Sequence, residues 1–444
     1  MNKIKLSDHF GYRKLLRFTL PSILMMIFTS IYGVVDGFFV SNFVGKTPFA
    51  AVNFIYPFLM VVGAFGFMFG TGGSALIAKT MGEGQDDKAN RIFSMLIYIT
   101  IASGIVISAL SIIFIRPITE FLGAEGEMLE LCVIYGRIIL AALPFLMLQY
   151  AFSSLVVAAE KPKFGLVVTI LAGVTNMVGD ALFILVFDLG IVGAALATAL
   201  GQIVGGIIPL IYFAHKNSSR LHLCKPIWDF KALLKTCTNG SSELMNNISM
   251  SFVCILYNAQ LMKYAGENGV AAYGTVMYVN FIFISIFLGY STGVTPIISY
   301  HFGAKNTDEL QGLLKKSSIL VVLCSCVMFF IPEFFAHTLA SIFVGYDAEL
   351  LKMTTHAFEV HAFSFFFAGF AIFGSAFFTA LNDGLTSALI SFLRTIVFEC
   401  AAVMLLPLVF GLDGIWFSII TAEFMAVVVT LIFLILKRNK YKYL

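Results

Sequence analysis

The sequence predicts an all-α integral membrane protein with twelve transmembrane helices in two pseudo-symmetric six-helix bundles. Three observations carry that prediction. Hydrophobic residues make up 59% of the 444-residue chain and charged residues only 12%, against about 25% charged in a soluble domain. Mean hydropathy is +0.93. Apolar windows long enough to cross a bilayer, which takes ~20 residues as helix, recur along the whole length. The second half also repeats the first at a constant offset of 221 residues.

Taken in order, the windows lie near 19–44, 51–78, 92–115, 131–157, 164–187 and 190–214, then near 238–262, 270–301, 317–340, 353–380, 386–409 and 413–436. This divides the chain into spans 1–6 (1–214), a polar linker (215–237) and spans 7–12 (238–444). The linker carries Lys216, Arg220, Lys225, Lys231 and Lys235. The basic N-terminus leads into an apolar run too long for a signal-peptide core, so that run is expected to stay as the first span. The N-terminus, even-numbered loops and C-terminal tail hold 22 of the 28 Lys and Arg residues. Both termini are therefore expected on the cytoplasmic side.

The repeat is read residue by residue. Gly45, Ala50 and Ala51 recur as Gly266, Ala271 and Ala272; Gly72 and Gly82 recur as Gly293 and Gly303; Asp87 falls on Asp308 and Gly193 on Gly414. Six spans per half is an even number, so the halves point the same way. They should be related by an axis along the membrane normal, with the working site near their interface.

Composition also excludes function classes. A net charge of +3 with no basic patch gives no reason to expect a nucleic-acid partner. The seven cysteines form no CxxC or zinc-like spacing. No GxxxxGK[ST] loop, HExxH or GxSxG is present, so neither ATP hydrolysis nor an enzyme is expected. Work done across the membrane would have to draw on an ion gradient.

Acids inside apolar spans cost at least ~2.5 kcal/mol on insertion scales and usually mark function. Asp36 interrupts the run TLPSILMMIFTSIYGVVDGFFVSNFV; the bland alternative is a turn at Asp36-Gly37. At ~1.5 Å per residue, Asp36, Asp180 and Thr198 lie roughly 10–12 Å from the outer ends of spans 1, 5 and 6. Asn176 shares a helix face with Asp180 at i, i+4. Two acids at one depth in a low dielectric either share a proton or hold a cation with the Asn and Thr oxygens, since hard cations take oxygen ligands. Helix–helix hydrogen bonding is the competing role.

The second half does not reproduce this set. Tyr257 and Ala401 stand at the repeat positions of Asp36 and Asp180, while Glu243, Glu399, Glu423 and Arg394 lie within its spans. Glu399 and Glu423 either pair with Arg394 or attract a cationic substrate. His356 reads as a surface residue and His361 stays open. Forty-seven Phe and 18 Met would suit a cavity for flat apolar cations.

These residues resemble the multidrug and toxic compound extrusion (MATE) transporters, in a bacterial multidrug branch. The likeness rests on Pro21 followed by SIYGVVDGFFVS around Asp36, on TNMVGDALFI followed by GIVGAALATALGQ in spans 5 and 6, and on MGEGQ and FGAKN after spans 2 and 8. It covers nearly the whole chain. The resemblance implies a V-shaped pair of bundles that exports organic cations in exchange for Na⁺ or H⁺, with no other cofactor. It implies a cation site at Asp36, Asn176, Asp180 and Thr198, whether the ion is a metal or a proton, and a bend in span 1 at Pro21. Glu243 and Asp383 match acids of a second-half site in another branch, although Asp383 sits in the loop-like ALNDG. The expected setting is the cytoplasmic (inner) membrane, with small organic cations and lipid as partners, and a monomer. The alternative is a flippase for lipid-linked oligosaccharides, from the same superfamily. It would want a cationic cavity, whereas only Arg137 and Arg394 lie within spans.

Overall fold

Helix α1 (Tyr12–Phe39) opens the fold in a computed structural model that describes residues 4–443. It continues as a π-helical segment, Val40–Val44, and ends at Gly45. Then follow α2 (Lys46–Gly82), α3 (Asp86–Phe121), α4 (Gly126–Ala141), α5 (Leu143–Ala158), α6 (Pro162–Asp180) with a π-helical extension Ala181–Val186, and α7 (Gly190–Ala214). The second half holds α8 (Phe230–Gly303), α9 (Thr307–Val344), α10 (Ala348–Ala362), α11 (Phe365–Ala380) and α12 (Gly384–Phe392). A π-helical segment Leu393–Glu399 then leads into α13 (Cys400–Leu405), α14 (Pro407–Phe410) and α15 (Leu412–Tyr441).

Nine of these helical stretches are long and apolar enough to span a membrane, and two bent pairs bring the number to eleven. The pairs are α4 with α5, at 58°, and α10 with α11, at 49°. The 74-residue α8 would be roughly 110 Å long at 1.5 Å per residue, far beyond a bilayer core of ~30 Å. It breaks at Gly266, whose φ of 62° and ψ of −151° are open to glycine and strained for other residues. Splitting α8 there gives twelve spans.

The backbone repeats as the sequence does. Positive φ occurs at Gly45 and Gly266, at Gly84 and Lys305, and at Gly190 and Gly411, each pair 221 residues apart. The bends of the two kinked pairs, at Ala142 and Phe363, have the same offset.

Two expected boundaries move. Helix α8 begins at Phe230, so the helix-free link covers 215–229 and not 215–237. Asp229 caps α8, accepting from the N–H groups of Lys231 and Ala232 at 2.9 and 3.1 Å. This satisfies orphan donors of the first turn, and the charges at 231 and 235 hide the start from a hydropathy window. The first span likewise starts at Tyr12, before the apolar run at 19.

Packing distinguishes the two ends of the molecule. At the end carrying both termini one apolar core draws on both halves, with Phe93, Phe152 and Phe213 beside Ile297, Phe377 and Tyr443. At the far end each half keeps its own core: Val40, Ile55, Ile139 and Ile191 in the first, and Val253, Tyr273, Phe358 and Trp416 in the second. The halves are thus sealed together at one end and separately packed at the other. Helices α2 and α8 make the seal by close backbone approach. A Cβ on Gly82 would overlap the Tyr300 carbonyl, and a Cβ on Gly303 would overlap the Lys79 carbonyl. Positions 79 and 300 are themselves repeat mates, so the contact is two-fold.

The N-terminal segment fastens the same end. Leu6 N–H donates to Glu160 Oε1 at 3.0 Å and Phe10 N–H to Glu309 Oε1 at 2.9 Å, which tethers one strand of chain to both halves.

Candidate functional site

The first-half polar residues meet on three helices. Asp36 lies near the end of α1, Asn176 and Asp180 in the last turns of α6, and Thr198 in α7. Asn176 Nδ2 donates to Thr198 Oγ1 at 3.3 Å, and Thr198 Oγ1 donates to Asp36 Oδ1 at 3.2 Å. Small residues let α6 and α7 come this close: Gly201 abuts the Ala172 carbonyl and Gly179 abuts Ala197.

Asp180 is fully buried. Neither of its carboxyl oxygens accepts a hydrogen bond from a donor, and the group it faces is the carboxyl of Asp36. Asn176 Oδ1 is also buried without a partner. Asp36 is half-buried. The array therefore offers several oxygen acceptors and one hydroxyl donor. Buried acceptors left unpaired cost free energy, of the order of 1–3 kcal/mol each and more for charged groups. A positive ion or a proton between the two acids would remove that cost.

Three tyrosines complete the surroundings, and sequence reasoning missed them. Tyr135 of α4, Tyr32 of α1 and Tyr56 of α2 lie within electrostatic range of Asp36. Placing phenol hydroxyls on the same depth map as the acids is the signal that was available. Pro21 lies buried inside α1, where it removes one helix hydrogen bond.

The second-half residues divide. Arg394 donates from Nε to both oxygens of Glu423, at 3.0 and 2.9 Å, and from Nη2 to Oε1 at 2.6 Å. This is a closed, fork-like ion pair, with Glu423 4% exposed. Glu399 and Glu243 are half-buried and sense Arg394 only through its field. Asp383 lies apart from this group, in the turn between α11 and α12. It accepts from Tyr441 at 2.8 Å and Lys437 at 3.2 Å. These partners account for Asp383 as a brace on the terminal end. His356 is at the surface and meets Asp413 at 2.9 Å; His361 is buried and meets Asn280 at 3.1 Å. Among the described residues no three His, Cys, Asp or Glu side chains converge on one point.

Comparison with known proteins agrees with this architecture. The chain is 24% identical to the multidrug export protein MepA of Staphylococcus aureus (strain MSSA476) over 436 residues, 97% of this chain and 94% of that one. It is also 24% identical to MepA of Staphylococcus haemolyticus (strain JCSC1435), covering 93% and 90%. Its fold matches a multidrug resistance MATE family transporter of the MOP superfamily in an outward-facing conformation, at TM-score 0.93 and 22% identity over 100% of this chain and 99% of that one. A MOP superfamily transporter from Pyrococcus furiosus, described as having a binding pocket of reverse polarity, matches at TM-score 0.91 and 22% identity over 98% and 97%. The MatE family profile matches residues 21–182 and 244–404, one segment in each half. The chain belongs to the MatE family of multidrug efflux transporters.

Proposed function

We propose that this transporter exports small organic cations across the cytoplasmic membrane in exchange for Na⁺ or H⁺, which occupies the Asp36–Asp180 pair with Asn176 and Thr198 beside it. The observation that carries the reading is the buried carboxyl of Asp180, which faces Asp36 and has no hydrogen-bond donor of its own. Such a pair is poised for a positive ion, and ion binding then changes its cost of burial. The fold does not select the sign of the cargo, since a structural neighbour is described by reverse pocket polarity. The sign is read from this chain's own residues. Eight acids (Asp36, Asp180, Glu243, Glu333, Glu359, Glu399, Asp413 and Glu423) lie within the apolar windows against two arginines, and one of those arginines is closed on Glu423.

The proposed cycle runs between two packings. With the halves sealed at the terminal end and separate at the other, the central space faces outward. The coupling ion enters there, neutralises the acid pair and lets α1 bend at Pro21. Cargo is released because ion and cargo favour different states of one equilibrium. On this reading the chain is a monomeric transporter and not an enzyme, with lobes at 1–214 and 238–444, both termini cytoplasmic and no nucleic-acid partner. The test is ethidium efflux from an export-deficient strain, with and without Na⁺ and pH gradients. Loss of efflux in a correctly inserted Asp36→Asn variant supports the reading; unchanged efflux removes Asp36 from it.

A further inference from the structure

Arg137 is an arginine inside a membrane span that the proposed cycle leaves unused, and helix geometry shows which way it faces. The buried face of α4 holds Leu129, Cys132, Gly136 and Ile139. Cys132 Sγ donates to the Ala51 carbonyl of α2 at 3.3 Å, which points that face into the first half. Arg137 shares the opposite, exposed face with Glu130, Ile134 and Ala141, a spacing that repeats every two turns. Helix α4 packs mainly on α2, α3 and α7, all of the first half. Beside Arg137 the surface is apolar and exposed, with Ile134 on α4 and Leu110, Ile113 and Phe114 on α3. Lipid covers a surface of that composition in a membrane span.

Depth and charge order the same face. Ser108 of α3 donates to the Leu140 carbonyl at 2.6 Å, which sets the antiparallel register of α3 and α4. Toward the far end, Arg116 holds two acids: Glu120, 3.3 Å from its Nε, and Glu130, through Nη2. All three are exposed, and one arginine shared by two carboxylates leaves one net negative charge. Arg137 lies seven residues after Glu130, so ~10 Å deeper on nearly the same face. Its guanidinium has neither hydrogen bond nor ion pair among the described residues. An unpaired charge at such depth is costly and usually functional. Helical side chains lean toward the helix N-terminus, here the far end, and a long arginine can raise its head toward the lipid headgroups. The face thus presents unpaired positive charge below and surplus negative charge above.

We infer that the α3–α4 face binds a phospholipid of the far-end leaflet whose headgroup carries an ammonium outside its phosphate. Arg137 donates its planar fork to the phosphate. The acyl chains lie along Leu110, Ile113 and Ile134. The ammonium meets the Arg116–Glu120–Glu130 group and cancels its surplus charge. A headgroup with a phosphate and no ammonium satisfies Arg137 but leaves that surplus unmet, so the site prefers the zwitterion. Phe358, buried, stands at the repeat position of Arg137, so the second half has no copy of the site. The inference depends on neither the cargo nor the coupling ion.

The test is native mass spectrometry of the purified full-length transporter in detergent, titrated with phosphatidylethanolamine, with phosphatidylglycerol or with inorganic phosphate, and read from the first bound molecule. Arg137→Gln is expected to weaken phosphatidylethanolamine binding about tenfold or more, the size of a lost contact to a charged group. Arg137→Lys keeps the charge without the fork and is expected to lose about threefold. Glu130→Gln is expected to weaken phosphatidylethanolamine and spare phosphatidylglycerol. Thermal unfolding of each variant checks that it is folded, and the headgroup order in the unaltered protein decides the matter without any variant. A change of less than about threefold in Arg137→Gln overturns the site. So does tighter binding of phosphatidylglycerol than of phosphatidylethanolamine by the unaltered protein. Displacement of the lipid by an equal concentration of inorganic phosphate would make it a free-phosphate site and overturn the lipid assignment.

Discussion

Thr198 on α7 donates its hydroxyl to Asp36 on α1 across 3.2 Å, and it is itself oriented by Asn176, which donates to its oxygen. The relay gives Asp36 a donor that Asp180 lacks, so the two acids are unequal by construction. A hydrogen bond to a charged group contributes ~1.5–3 kcal/mol. Thr198→Ala removes both a donor to Asp36 and an oxygen from the surroundings of the proposed ion. Apparent affinity for the coupling cation is expected to fall roughly ten- to a hundredfold, read from the Na⁺ and pH dependence of dye efflux. Efflux at saturating ion is retained.

Asp180 separates stability from function. Its carboxyl is fully buried and receives no donor, a costly state for an acid. Asp180→Asn removes the charge and supplies an amide N–H facing Asp36. With coupling ions absent, the variant is expected to be more stable than the parent by about 1–3 kcal/mol. It is also expected to lose ion-driven efflux. Thermal unfolding in ion-free detergent buffer, paired with efflux in cells, checks both halves of the prediction.

Gly82 and Gly303 offer a test of the pseudo-two-fold seal. Each packs on a backbone carbonyl of the other's helix, Gly82 on Tyr300 of α8 and Gly303 on Lys79 of α2. A methyl group at either place overlaps backbone and cannot be relieved by a side-chain rotation. Gly82→Ala and Gly303→Ala are each expected to destabilise the packing sealed at the terminal end by about 1–3 kcal/mol. The repeat makes the two losses similar. Unfolding temperatures of the two variants that differ widely would mean that the seal is not shared evenly.

Much of the architecture was legible because apolar length and a glycine-marked repeat are one-dimensional signals. The 221-residue offset returns in the backbone at Gly45 and Gly266 and at Gly190 and Gly411. The meeting of Asp36, Asn176, Asp180 and Thr198 was legible for a similar reason: depth follows from residue count at a fixed rise. Azimuth does not follow so simply. Whether Arg394 would close on Glu423 or Glu399 depends on which way each points around its helix, and the segment Leu393–Glu399 departs from α-helical periodicity. Tyr135 was missed because its polar atom lies a whole ring away from its helix, so its nearness to Asp36 is invisible to a count along the backbone. The start of α8 was hidden by lysines, although the Asp229 cap was a readable signal.

Asp383 supplies a pH test outside the membrane-spanning segments. Burial would raise its carboxyl, but the Tyr441 hydroxyl, the Lys437 ammonium and the Thr386 side chain outweigh it and hold the group below its ordinary 3.8. A carboxylate whose folded value is depressed stabilises the fold fully above its unfolded value, and that contribution is lost as pH falls through the lowered folded value. Here it ties α15, through Lys437 and Tyr441, to the turn before α12. Asp383→Asn keeps the shape and discards the charge. The parent is expected to unfold at a higher temperature than this variant at about pH 6–7, where the carboxylate is fully charged. The difference is expected to shrink as pH is taken below about 3.8, where the unfolded chain's carboxyl takes up a proton first and the folded one follows at its lowered value. A difference that stays constant down to the acid limit would show that Tyr441 and Lys437 bind position 383 by shape alone.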